Sequence, residues 1–134
     1  MTATSETAVK IKEADVKRTI SDYLEVGQAQ GRWLFDRLNA GSFVLTNPDG
    51  SYRRRVKGVK QGRPDFVAYQ AGQVQFQHRG EPKGASHPVC FVTFLEVKKP
   101  IGGKQSQEQK LFEFKANEVH ARYVIVRSLE DTRS

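Results

Sequence analysis

Three ionisable residues stand at the ends of apolar segments: Asp65, Glu96 and Lys98. In Phe94-Leu95-Glu96-Val97-Lys98 the side chains of an extended chain alternate between faces, so Glu96 and Lys98 share the face that carries Cys90, Val92 and Phe94. A carboxylate and an ammonium two residues apart, at the end of an apolar strand, can converge on one small volume. An ordinary ion pair where the strand emerges into water is the competing reading of that pair alone. Asp65 opens a second apolar segment, directly after Pro64 and just beyond Gly62, whose backbone is free to turn. Two carboxylates at neighbouring strand ends repel unless a cation lies between them. Hard oxygen donors of this kind suit Mg²⁺. Such an ion polarises a phosphate and lowers the pKa of a bound water. Lys98 is then placed to orient or deprotonate the attacking water, or to stabilise charge on the phosphate. For Asp65 the alternative is a turn-forming aspartate after proline.

Two further polar residues fall on helical patterns. At about 100° per residue, Glu13 lies within roughly 20° of Ile20 and Leu24 on the first helix, near the middle of its apolar face. An unpaired charge there is costly, and a metal or a lysine at the edge of the core would relieve it. A frayed first turn that never meets the core is the other possibility. Ser106-Gln107-Glu108-Gln109 fits a capping box, with Ser106 as N-cap and Gln109 reaching back. Gln109 also shares a helix face with Phe112 and Ala116, so it can equally point at the cleft. His78, His87 and His120 show no zinc spacing, and Gly102-Gly103-Lys104 lacks the rest of a phosphate loop. Cys90 reads as a small buried hydrophobe and Trp33 as core.

The elements that must position these residues are legible as patterns. Val16, Ile20, Tyr23 and Leu24 predict a helix from Ile11 to Val26 that ends near Gly27. Trp33 to Leu38 reads as a strand. Phe43 to Thr46 and Ser51 to Arg55 read as a hairpin around the turn Asn47-Pro48-Asp49-Gly50. Asp65 to Tyr69 is a short strand, and residues 70 to 88 a loop or a peripheral hairpin around Val74 and Phe76. Val89 to Lys98, dense in β-branched and aromatic residues, predicts a central strand buried on both faces. Ser106 to Asn117 is a second helix and Arg122 to Arg127 a last strand. This order predicts one α/β domain with a central sheet, spanning residues 9–130 between flexible tails at 1–8 and 131–134.

Bulk composition agrees with that scheme. The 134 residues, 37% hydrophobic and 28% charged, suit one globular domain. No apolar run approaches the roughly 20 residues that span a bilayer. One cysteine excludes an internal disulfide and suits a reducing cytoplasm, the organism's own or a host's. The net charge of +7 is concentrated in Arg53, Arg54, Arg55, Lys57, Lys60 and Arg63, uninterrupted by acids. Neutralising nucleic-acid phosphates is the usual task of such a run, and a solvated loop is the plainer one. Strand alternation points Arg54 away from Arg53 and Arg55.

Together, Gly62-Arg63-Pro64-Asp65, Glu96-Val97-Lys98 and Gln105-Ser106-Gln107-Glu108-Gln109 resemble the VRR-NUC domain of the PD-(D/E)xK nuclease superfamily. Glu13, in a helix containing Asp22-Tyr23-Leu24, and the closing Val124-Ile125-Val126-Arg127 extend the likeness over most of the chain. The resemblance implies a restriction-endonuclease-like core, a central mixed β-sheet flanked by helices. It implies that Asp65, Glu96 and the Val97 backbone carbonyl bind Mg²⁺ or Mn²⁺, that Lys98 is the catalytic lysine, and that Glu13 and Gln109 are accessory, Glu13 also as a ligand. Its stand-alone members imply a homodimeric endonuclease acting on branched DNA such as four-way (Holliday) junctions. The 70–88 connection departs from that family in being longer and more polar. A non-catalytic nucleic-acid-binding module of the same fold, and a flap or single-strand nuclease, are the alternatives. A restriction-type enzyme would need a base-reading element for which this chain has little room.

Overall fold

A computed structural model describes residues 11–38, 42–57, 62–75, 79–80 and 84–132. Helix α1 (Glu13–Ala29) is followed by strands β1 (Leu34–Arg37), β2 (Ser42–Thr46), β3 (Tyr52–Lys57), β4 (Phe66–Gln75) and β5 (Ser86–Val97). Helix α2 (Gln107–Glu118), strand β6 (Arg122–Val126) and a 3₁₀ turn (Leu129–Thr132) complete the described chain. That turn carries hydrogen-bonded structure two residues past the boundary expected at 130. The protein is a mixed α/β fold, with a mixed sheet between helices. No helix among the described residues is long and apolar enough to cross a membrane.

α1 forms because Val16, Ile20 and Leu24 recur at four-residue spacing, while Glu13 and Asp15 place negative charge at its N-terminus. It begins at Glu13 rather than at Ile11, which is exposed. It also runs past Gly27, where the sequence suggested a stop. The terminator is Gly31, at φ +76°: its N–H donates to the Gln28 carbonyl, and the Arg32 N–H to that of Gly27. That pair of bonds closes a Schellman turn, which needs a left-handed residue. Gly27 has a packing role, since a Cβ there would lie 2.0 Å from the Trp33 ring. Trp33 packs against the core and donates Nε1–H to the Leu24 carbonyl at 2.8 Å.

The main sheet has the order β1-β4-β5-β6, antiparallel at its first two junctions and parallel between β5 and β6. A parallel pair cannot be closed by a tight turn, and α2 supplies the crossover. α1 covers one face, where Val16, Ile20 and Leu24 meet Phe66, Leu95, Val97 and Val126. Each such side chain contributes about 1.5–3 kcal/mol by leaving water. On the opposite face Phe112 of α2 meets Phe94 edge-on, with ring centroids 5.0 Å apart.

β2 and β3 form a separate antiparallel hairpin, as the Asn47–Gly50 turn predicts. The Asp49 carboxyl accepts from the Ser51 hydroxyl at 2.6 Å and its N–H at 2.9 Å, bonds that hold its pKa below the ordinary value. β4 and β5 are longer than their apolar cores suggest. They pair from Phe66↔Leu95 out to Gln75↔Ser86, so residues 70–75 and 86–88 of the polar connection belong to the arms of a hairpin. Phe76 and His78 lie outside the described residues. Burial in β5 is confined to Leu95, Glu96 and Val97, and Cys90 is exposed. The expectation for Cys90 is thus corrected, and burial on both faces holds only at the inner end of this central strand, where Glu96 alternates with Leu95 and Val97. Strand propensity reports a pleated surface but not whether a helix covers it, and the outer half of this hairpin projects beyond the core.

Candidate active site

The loop before β4 delivers Asp65 to the end of β5. Its N–H donates to the Leu95 carbonyl at 3.0 Å, and its Oδ2 accepts the Val97 N–H at 2.7 Å. Asp65 thus continues the β4–β5 ladder by one backbone and one side-chain bond. An extended residue points its N–H and C=O to the same edge of its strand, so the Val97 carbonyl faces the Asp65 side. Asp65 is 5% exposed. Its Oδ1 forms a 3.0 Å ion pair with Nζ of Lys17, from α1.

Glu13, the first residue of α1, lines the same open cleft as Lys17 and Asp65, together with Arg18, Asp22 and Arg37. Glu13 is half-buried, at the mouth of the core and not inside it. Arg37 is held there by Ser21 Oγ at 2.5 Å and Glu25 Oε1 at 3.1 Å.

Glu96 and Lys98 project towards α2. Glu96 is fully buried, 0% exposed, and Lys98 is 8% exposed. The Tyr123 hydroxyl, from β6, donates to Glu96 Oε1. Glu96 Oε2 has no hydrogen-bond partner among the described residues. Lys98 Nζ donates to Gln109 Oε1 at 2.9 Å. The same Gln109 oxygen accepts the Ser106 N–H at 2.8 Å, and Ser106 Oγ accepts the Gln109 N–H at 3.2 Å. Gln109 therefore caps α2 and accepts from Lys98 at once, because one carbonyl oxygen carries two lone pairs.

The expected residues thus form two groups around one strand end. Asp65, Glu13 and Lys17 lie on the α1 side; Glu96, Lys98, Gln109 and Tyr123 lie on the α2 side. Among the described residues no three His, Cys, Asp or Glu side chains converge as a ready metal cage. Lys17 and Tyr123 are the additions that sequence reasoning missed. Lys17 carried a signal in hindsight, since it stands one helical turn beyond Glu13. Tyr123 carried none, because it reads as an ordinary strand aromatic.

Burial, followed by the hydrogen bond to Glu96 and the Glu96 charge, pushes the Tyr123 phenol far above its ordinary value of 10. A raised pKa means that the protonated phenol is favoured by folding. Its contribution is complete below pH ~10 and is lost as pH rises towards the folded value. Tyr123→Phe removes the donor and leaves buried Glu96 Oε1 unmatched. The expected cost is about 1–3 kcal/mol at neutral pH. Urea titrations of metal-free protein should show this gap narrowing above pH ~10. Equal stability of the two proteins at pH 7 would remove the structural role of the bond.

The basic run is dispersed. Arg53, Arg54 and Arg55 are exposed on β3, in the separate hairpin. Arg63 stacks over Phe112 with its guanidinium 5.0 Å from the ring centroid, against α2. Lys57 ends β3, paired with Ser42. Lys60 and the side chain of Lys57 lie outside the described residues.

Compared with known protein families, curated proteins and solved structures, the chain matches none significantly.

Proposed function

We propose that the protein is a metal-dependent endonuclease that hydrolyses DNA phosphodiester bonds, with a PD-(D/E)xK core of the VRR-NUC type. The observation that carries this reading is the burial of three ionisable side chains, Asp65, Glu96 and Lys98, at the paired ends of β4 and β5. Burying charges costs more than an apolar replacement would. Reactive sites are where such arrangements concentrate. The antiparallel, antiparallel, parallel order of the four strands supports the same assignment.

The donor set fits a hard divalent cation. Glu96 Oε2 is a buried oxygen with no partner among the described residues, and Asp65 already takes one cation on Oδ1. Asp65, Glu96, the Val97 carbonyl and Glu13 are the residues that would hold Mg²⁺ or Mn²⁺. Bound there, the ion would polarise the scissile phosphate and lower the pKa of a bound water. Lys98 orients the attacking water or stabilises charge on the phosphate, and Gln109 fixes the position of its ammonium. Arg53, Arg54, Arg55, Lys57, Lys60 and Arg63 offer cations for the DNA backbone. A homodimer would present two such sites to the opposed strands of a four-way junction.

The test is incubation with labelled four-way, flap and linear duplex DNA in Mg²⁺, Mn²⁺ or EDTA. Cleavage with either metal, background in EDTA, and preference for the junction are expected. Light scattering with and without the junction reads the dimer. Cutting that persists undiminished in EDTA defeats the mechanism. Binding without cutting under any metal returns the protein to a non-catalytic DNA-binding module.

A further inference from the structure

We infer that Lys17 is the counter-cation of the metal-free site, and that a divalent ion must displace its ammonium from Asp65 in order to bind. The inference rests on the metal-dependent reading above and adds a residue that governs that site.

The Asp65 carboxylate is almost wholly withdrawn from water, so it needs compensation within the protein. Oδ2 accepts the Val97 N–H, and a cation stands on Oδ1. Lys17 Nζ stands 3.0 Å from that oxygen. The Lys17 backbone cannot drift, because its neighbour Val16 and the later Ile20 anchor α1 in the core. Its side chain is 37% exposed, against 6% for that of Asp65. The ammonium can therefore leave for solvent by rotating its stem, while the carboxylate stays in place. A divalent ion held by Asp65 would repel an ammonium that stands this close to the same carboxylate, and the exposed stem lets the ammonium leave. Ammonium and metal thus compete for the Asp65 carboxylate through like-charge repulsion, and the metal affinity contains the cost of parting Lys17 from Asp65. This pairing keeps Asp65 compensated and oriented when the metal is absent.

The test measures Mn²⁺ binding by water-proton relaxation, and the rise in melting temperature on adding Mn²⁺, without DNA. Lys17→Met and Lys17→Gln keep a stem and remove the charge, whereas Lys17→Arg keeps it. Both neutral variants are expected to bind Mn²⁺ about twofold to fivefold more tightly, the span set by a partly exposed ion pair. They should melt lower than wild type in EDTA and gain more from Mn²⁺. Lys17→Arg should behave as wild type, and Asp65→Asn should lose the binding. Neutral variants that bind no more tightly than wild type, with binding still lost in Asp65→Asn, overturn the displacement and leave the metal site standing. Undiminished binding in Asp65→Asn overturns both the site and the role of Lys17.

Discussion

Lys98→Ala is expected to lower DNA cleavage about 10²–10⁴-fold, the range over which a positioned acid–base group acts. DNA binding and fold should survive. Lys98 donates its N–H to the Val126 carbonyl at 3.0 Å, a bond that alanine keeps. Gln109 Oε1 retains the Ser106 N–H when Nζ is gone, so the first turn of α2 stays capped. The lost ammonium leaves no buried carboxylate stranded, because its partner is a neutral amide. It is also one cation among the 22 Lys and Arg of the chain, so its share of phosphate attraction is small. Single-turnover cutting of the best substrate, with circular dichroism and a binding titration alongside, separates these effects. Wild-type turnover in Lys98→Ala would refute its assignment.

How much of this was legible in the sequence depends on the range of the interaction that decides each feature. The α2 cap was, because Ser106 and Gln109 lie three residues apart and meet within one turn. The β2–β3 hairpin was, because Asn47-Pro48-Asp49-Gly50 carries its own turn chemistry. The end of α1 was misjudged because two glycines stand four residues apart. Only the fold shows that Gly27 makes room for Trp33 while Gly31 takes the left-handed conformation. The exposure of Cys90 was hidden for a similar reason, since coverage by a helix is a tertiary fact. Among the candidate site residues, the alternation of β5 did place Glu96 and Lys98 together on one face, though it did not show that α2 would lie against it. It could not say that Asp65 would meet Lys17, a contact between residues far apart in the sequence.

Gly62→Ala is expected to destabilise the protein by about 2–4 kcal/mol and to reduce cleavage with it. The motif glycine just ahead of Asp65 is constrained twice over. Its φ of +90° lies in the left-handed region, which costs an L-residue about 1–2 kcal/mol. Its α-carbon also faces the first turn of α2: an added Cβ would lie 2.6 Å from Glu108 Cβ, 2.8 Å from its carbonyl carbon and 2.9 Å from its carbonyl oxygen. Two of those atoms are backbone, so relief requires moving the helix and not a side chain. That turn carries Gln109, which holds Lys98, while the loop itself carries Asp65. One methyl group therefore pushes apart the two halves of the candidate site. Gly62→Asn separates the causes, because asparagine tolerates the left-handed backbone yet still carries a Cβ. It is expected to regain at most the backbone share of the loss and to stay below wild type, because the approach to Glu108 remains. Denaturant midpoints of the two variants, read beside their cutting rates, check the argument. A Gly62→Ala protein with the wild-type midpoint and rate would mean that the approach of this loop to α2 does not constrain the site.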